Sequence, residues 1–122
     1  MGKIILIVED NYECRRMEKD ILAAAGYDVL EAKDAKTGIA LAQEKIPDLI
    51  IMDIRLPSKK RGIGAVKILR KDKETSHIPV IFVTGYAQGE QTTEVRNIDN
   101  FSYLVKPFEP KTLVDEVKKY IG

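Results

Sequence analysis

The residues able to do chemistry recur in one kind of place, directly after short apolar runs. Glu9 and Asp10 follow "KIILIV" (Lys3–Val8), and Asp53 follows "LIIM" (Leu49–Met52). Thr84 and Gly85 follow "PVIFV" (Pro79–Val83), and Lys106-Pro107 follows "FSYLV" (Phe101–Val105). If the central runs are neighbouring strands, the carboxylates of Glu9, Asp10 and Asp53 share one basin. Two unit charges about 4 Å apart repel by roughly 4 kcal/mol at an effective dielectric near 20. Such a group persists only with a raised pKa or a counter-cation. A hard divalent cation suits oxygen ligands; Mg²⁺ is favoured because it takes few protein ligands and keeps several waters, and Mn²⁺ is an alternative. Lys106 adds a fixed positive charge at the same rim and Thr84 a hydroxyl donor. Together these groups fit phosphoryl chemistry, in which positioning and charge neutralisation dominate. Asp53 would then be the nucleophile that forms an acyl phosphate.

Placing these residues together requires a sheet whose strands end at one edge. The first three apolar runs, rich in Ile and Val, do not alternate with polar residues, which is how a parallel strand covered on both faces reads. "YDVLEA" (Tyr27–Ala32) is a more polar fifth candidate. Between the runs lie apolar stripes at helical spacing: Met17, Ile21, Leu22 and Ala25; Ile39, Ala42 and Ile46; Ile63, Val66 and Leu69; and Leu113, Val114, Val117 and Ile121. Pro110 suits the first turn of the last helix. The segment Ala87–Asn100 has only Val95 and Ile98 as apolar anchors and predicts a short or mobile helix. The pattern is (βα)5, an α/β fold with right-handed crossovers and helices on both faces of a parallel sheet. In such sheets ligands bind beyond the carboxyl ends of the strands, where all the residues named above fall.

The bulk properties agree with one globular domain. The chain has 122 residues, 44% hydrophobic and 32% charged, with a net charge of +1 that gives no global reason for nucleic-acid binding. The single cysteine, Cys14, cannot form an internal disulfide and fits a reducing, cytoplasmic setting. The apolar start is far too short to span a bilayer. Cys14 and His77 read as structural or surface residues.

"ILIVEDN", "DLIIMDIRLP", "HIPVIFVTG" and "YLVKPF", in that order, resemble the receiver domain of two-component response regulators over essentially the whole chain. The resemblance implies a flavodoxin-like doubly wound sheet of order 2-1-3-4-5. It implies a single receiver domain spanning residues 1–122, with no output domain visible, that works as a signalling switch rather than an enzyme in its own right. Asp53 would accept a phosphoryl group from a phosphohistidine in a phosphorelay, with self-phosphorylation and autodephosphorylation at the same residue. Asp10 and Asp53 would ligate Mg²⁺, Glu9 would help through water, and the backbone carbonyl of Arg55 would complete the protein's share. Lys106 and Thr84 would contact phosphoryl oxygens, and the backbone of Gly85 and Arg55 would line the same rim. Tyr103 matches an aromatic that turns inward when Thr84 moves, and the Lys106–Pro107 bond is expected to be cis. The implied partners are a sensor histidine kinase or histidine phosphotransfer protein upstream and a protein target or output domain downstream, read by the surface of the fourth helix, fifth strand and fifth helix. Neither nucleic acid nor membrane is implied, and the chain would be a monomer or a weak phosphorylation-dependent dimer.

Rival functions fit less well. Haloacid dehalogenase-like phosphatases need an acid two residues after the nucleophile, where this chain has Arg55. A flavodoxin would need a Ser/Thr/Gly phosphate loop where this chain has "EDNYE". A phosphorylation-independent interaction module of the same fold is the alternative within the family.

The chain departs from the family pattern twice. "IDNFSY" puts Asp99 and Asn100 where Gly-Ala is usual, and "SKKRG" makes a loop one residue longer and strongly basic beside Asp53. A solvated loop is the plain reading of the basic run. Its charge excess suggests recruitment of an acidic partner or a changed phosphoryl lifetime. Neutralising Lys59, Lys60 and Arg61 should then alter transfer or hydrolysis rates at low salt, measured by phosphoryl-protein decay; unchanged rates would remove that role.

Overall fold

The computed structural model describes residues 2–54, 59–85 and 99–122, with Ile54 and Lys59–Arg61 as backbone only. Five strands, β1 (Ile4–Val8), β2 (Asp28–Ala32), β3 (Leu49–Ile54), β4 (Val80–Thr84) and β5 (Phe101–Val105), form one parallel sheet of order β2-β1-β3-β4-β5. Four helices are present among the described residues: α1 (Tyr12–Ala24), α2 (Ala35–Lys45), α3 (Lys59–Lys71) and α4 (Pro110–Ile121). The helix predicted over Ala87–Asn100 falls outside the described residues as far as residue 98.

Strand parity divides the core in two. Leu6 and Val8 of β1, Ile50 and Met52 of β3 and Phe82 of β4 face one side with Ala42 of α2 and Ile63, Val66 and Leu69 of α3. Ile5, Ile7, Leu49, Ile51, Ile81 and Val83 face the other, against Leu22 of α1 and Leu113 and Val117 of α4. Because both faces are covered, consecutive residues are buried and the strands lose the alternation of a half-exposed sheet. Each such aliphatic side chain contributes about 1.5–3 kcal/mol relative to leaving it in water.

The helices begin where side chains satisfy their first amides. The Cys14 amide donates to Asn11 Oδ1 at 2.8 Å, and the Thr37 amide to Asp34 Oδ1 at 2.7 Å. Pro110 opens α4. α1 presents its inner face differently from the predicted stripe: Met17 is exposed, while Glu18 and Leu22 are buried. The basic run also departs from expectation, because Lys59–Arg61 form the first turn of α3 rather than prolonging a loop. Lys and Arg are good helix formers, and the apolar Ile63–Leu69 stripe anchors the turn that follows them.

At the second family departure, Asn100 lies in the left-handed region at φ +57, a conformation that asparagine tolerates better than most side chains. Its Nδ2 donates to the His77 carbonyl at 3.0 Å, and its own carbonyl accepts from the Val80 amide at 3.1 Å. Arg70 of α3 donates to the Asp99 and Asn100 carbonyls at 3.1 and 3.3 Å. The approach to β5 is thereby fixed without the glycine the family pattern would use.

The packing of α2 on β1 leaves no room at Gly38, where an added Cβ would lie 2.8 Å from Val8 Cγ2. Alanine gains about 1 kcal/mol over glycine in a helix interior, but overpacking typically costs about 1–3 kcal/mol. Gly38→Ala should therefore lower stability by about 1 kcal/mol, read as a lower urea midpoint with an unchanged m-value.

Candidate functional site

Strand pairing runs further along the sheet than the apolar runs do. Asp53 lies inside β3 rather than after it, opposite Val83, and Thr84 is the last residue of β4, opposite Ile54. The Glu9 amide continues the β1–β2 ladder by donating to the Ala32 carbonyl at 3.0 Å. The Lys106 amide continues β5 by donating to the Thr84 carbonyl at 2.7 Å. Side chains alternate along a strand. Glu9 therefore shares the side of Ile5 and Ile7, Asp53 that of Leu49 and Ile51, and Lys106 that of Leu104. All three meet the inner face of α1.

Lys106 Nζ is 2.9 Å from Asp53 Oδ1 and 3.2 Å from Glu9 Oε1. The contact to Asp53 is an ion pair. Both carboxylates are almost wholly buried, while the lysine keeps about a quarter of its side chain exposed. Glu9 Oε2 accepts from the Asn11 amide at 2.7 Å, and the Glu9 carbonyl accepts from Arg15 Nη1 at 2.8 Å. Glu9 thus ties the end of β1 to the start of α1, while Asn11 is the helix cap.

A third acid joins them. Glu18 of α1 is fully buried, and one carboxylate oxygen each from Glu9, Glu18 and Asp53 lie within 4.8 Å of one another. The sequence pattern does not mark Glu18, because Met17 fits the apolar stripe beside it. The signal was available: Glu18 stands four residues before Leu22, on the seam that buries Leu22.

Cys14, read as structural or surface, lies at the edge of this basin with Sγ 3.8 Å from Lys106 Nζ. Burial raises its pKa against the lowering influence of Lys106, which favours the thiol form.

The remaining predicted residues lie around the basin. Asp10 is exposed and stands outside the buried trio. Thr84 is buried and shares the parity of Phe82, toward the opposite face of the sheet. Tyr103 packs on that same face, stacked on Phe82 with ring centroids 5.4 Å apart and edge-on to Phe101 at 5.5 Å. Gly85 is exposed just past β4. The Lys106–Pro107 bond is cis. Arg55, expected to lend backbone atoms to a cation and to phosphate, lies outside the described residues.

Burial dominates the electrostatics. It raises the Asp53 pKa to about 10, helped by the nearby carboxylates of Glu9 and Glu18 and opposed by Lys106. Burial likewise raises Glu18 to about 7, with Asp53 and Lys106 opposing and Glu9 reinforcing. Burial works against the charge on Lys106, but its pairing with Asp53 and Glu9 outweighs that and raises its pKa. The donor set suits a hard divalent cation, since Glu9, Glu18 and Asp53 offer only oxygen and, once ionised, together carry more negative charge than Lys106 neutralises.

Comparison with known proteins gives one answer. Residues 5–118 match the response regulator receiver domain family. The polar-differentiation response regulator DivK of Brucella ovis is 35% identical over 122 residues, covering 100% of this chain and 98% of that protein. The chemotaxis protein CheY4 of Vibrio cholerae superimposes with a TM-score of 0.90 at 30% identity, covering 99% of this chain and 100% of that one. The receiver domain of the sensor histidine kinase PA1611 from Pseudomonas aeruginosa, solved with a magnesium ion coordinated in its active-site cleft, superimposes with a TM-score of 0.84 at 27% identity, covering 100% and 99%.

The buried acids make stability depend on pH when no cation is present. A carboxyl whose folded pKa is raised holds its proton in the folded state where the unfolded chain has lost it. Stability therefore falls as pH rises from the unfolded value toward the folded one. For Glu18 that window runs from 4.5 to about 7, and Asp53 extends it upward from 3.8 to about 10. At about 1.4 kcal/mol per pKa unit, Glu18 alone contributes on the order of 3 kcal/mol. In a chelator, the urea midpoint should be higher at pH 5 than at pH 8; equal midpoints would show that the acids are not held apart from solvent as the geometry indicates.

Proposed function

Because the chain belongs to the response regulator receiver domain family of two-component signalling, we propose that it is a phosphorylation-controlled switch with Asp53 as its phosphoryl acceptor. The carrying observation is the buried pair of Asp53 and Lys106, 2.9 Å apart at the carboxyl end of the sheet with Glu9 beside it. An Asp53 oxygen attacks the phosphorus of a partner's phosphohistidine. The O–P bond forms as the N–P bond breaks, and the ring leaves as neutral imidazole, keeping the proton already on its other nitrogen. Small phosphodonors can replace the partner, and water later removes the group by attack on the same phosphorus.

Lys106 neutralises a phosphoryl oxygen, and its ion pair with Asp53 keeps it at the point of transfer before the group arrives. Glu9, Asp10 and Asp53, with the backbone carbonyl of Arg55, would hold a Mg²⁺ ion, which when bound supplies charge neutralisation to the transferring oxygens. Mn²⁺ meets the same ligand demands. The magnesium in the cleft of the PA1611 receiver supports this reading. Gly85 offers a backbone N–H at the rim, unhindered by a side chain.

Modification adds close to two negative charges. In this reading Thr84, at the end of β4, turns toward the new oxygens, and the ring of Tyr103 on the neighbouring strand follows Thr84. The surface that changes is the one around β5 and α4, read by a protein target or an output domain. The upstream partner is a sensor histidine kinase or a histidine phosphotransfer protein. The switch acts in the cytoplasm, as a monomer or a weak dimer when phosphorylated.

Incubation with acetyl phosphate and Mg²⁺ should add one base-labile phosphoryl group by intact mass. Asp53→Asn should abolish it, and chelation should slow it by about 100-fold or more, within the range that metal charge stabilisation supplies. Thr84→Ala should still be labelled but should lose the change in Tyr103 fluorescence on adding beryllofluoride. Absence of both the adduct and the beryllofluoride response in the unaltered protein would leave a phosphorylation-independent interaction module of the same fold.

A further inference from the structure

Glu18 has no place in the receiver chemistry described above, yet its carboxylate lies in the reacting basin. It is fully buried, and neither of its oxygens has a hydrogen-bond partner. The seam it occupies on α1 otherwise packs Leu22 against β1 and β3, where an apolar side chain would contribute to stability. A buried carboxylate without a partner costs several kcal/mol. Nothing in the apolar packing repays that cost. What the side chain reaches is the acid pair, Glu9 and Asp53, within 4.8 Å.

Charge in the basin gives the reason. Among the described buried groups, Glu9, Glu18 and Asp53, when ionised, carry two more negative charges than Lys106 neutralises. A divalent cation relieves that excess. Removing Glu18 takes one negative charge from beside the ion and so holds it less firmly.

We propose that Glu18 is an additional carboxylate of the cation site, contributed by α1 beyond the set that the receiver pattern assigns, and that it strengthens divalent-cation binding in this chain. This inference rests on the reading that Glu9 and Asp53 hold a cation. Glu18 acts on the ion and not on the phosphoryl donor, so it is a metal-site residue rather than an acceptor.

The test is calorimetric titration of the full chain with Mg²⁺ and Mn²⁺ at pH 8, comparing the unaltered protein with Glu18→Gln, Glu18→Leu and Asp53→Asn. Gln keeps the shape of the side chain and removes its charge. The expected result is binding by the unaltered protein that weakens by about tenfold or more in both Glu18 variants, within the range seen when groups supporting a metal are removed. Thermal melts supply a second readout and establish that each variant is folded. In chelator Glu18→Leu should melt higher than the unaltered protein, and the gain on saturating Mg²⁺ should shrink. Equal affinities for the unaltered protein and Glu18→Gln, with Asp53→Asn impaired, would overturn the role of Glu18 and leave the cation site standing. No binding of either ion by the unaltered protein would overturn both.

Discussion

The structure is organised around one electrostatic conflict, the confinement of Glu9, Glu18 and Asp53 in a buried basin with Lys106 as their near cation. At an effective dielectric near 20, charges about 4.8 Å apart repel by roughly 3.5 kcal/mol, so the three acid pairs oppose one another by about 10 kcal/mol. Contacts at about 2.9 and 3.2 Å return roughly 5–6 kcal/mol each in the same dielectric. Lysine therefore offsets the mutual repulsion. What it leaves uncovered is desolvation, several kcal/mol for each buried ion. That remainder drives protons onto Asp53 and Glu18 when no cation is present, and it is available to hold a cation when one is.

The fold confines these groups by the most elementary rule of a strand, the alternation of side chains. Glu9, Asp53 and Lys106 each prolong the row of residues that faces α1 and α4, and Thr84 and Tyr103 prolong the row that faces α2 and α3. Acid–base and charge chemistry therefore lies on one side of the sheet and the aromatic stack of Phe82, Phe101 and Tyr103 on the other. The two sides touch at the sheet's edge, where the Lys106 amide donates to the Thr84 carbonyl. In the proposed switch, a charge gained at Asp53 has a short covalent and hydrogen-bonded route to the far face. A slip of one residue in β3 would turn Asp53 to that far face, so the hydrophobic pattern that sets register also sets the chemistry.

The sheet and most of the site were legible in the sequence because both rest on local pattern. Short unbroken runs rich in β-branched Ile and Val read as strands covered on both sides, and polar residues at their ends then gather at one edge of a parallel sheet. The extent of β3 and β4 was less legible, since Asp53 and Thr84 look like terminators and only lateral pairing with Val83 and Ile54 keeps them in the strands. The first turn of α3 is hard to see in the sequence for a related reason: a basic run looks like a solvated loop until the stripe that follows anchors it. Asn100 shows the limit at single residues, for its left-handed backbone is stabilised by a side-chain bond to the His77 carbonyl that no short-range pattern contains.

Glu18 marks where pattern reading fails in principle. A helical stripe is assigned by its apolar members, and an acid within the stripe is counted as noise or moved to the exposed face. The chain resolves the choice the other way, exposing Met17 and burying Glu18. Natural sequences break a packing rule mainly where something else is gained, and they break it at sites rather than at random. The breach here lies in the last place consistent with packing alone, where β1 and β3 bring two more acids to the same point. A carboxylate in that position works against the stability of the metal-free fold and in favour of whatever positive charge the basin accepts. The same side chain is thus a defect of the core and a component of the site.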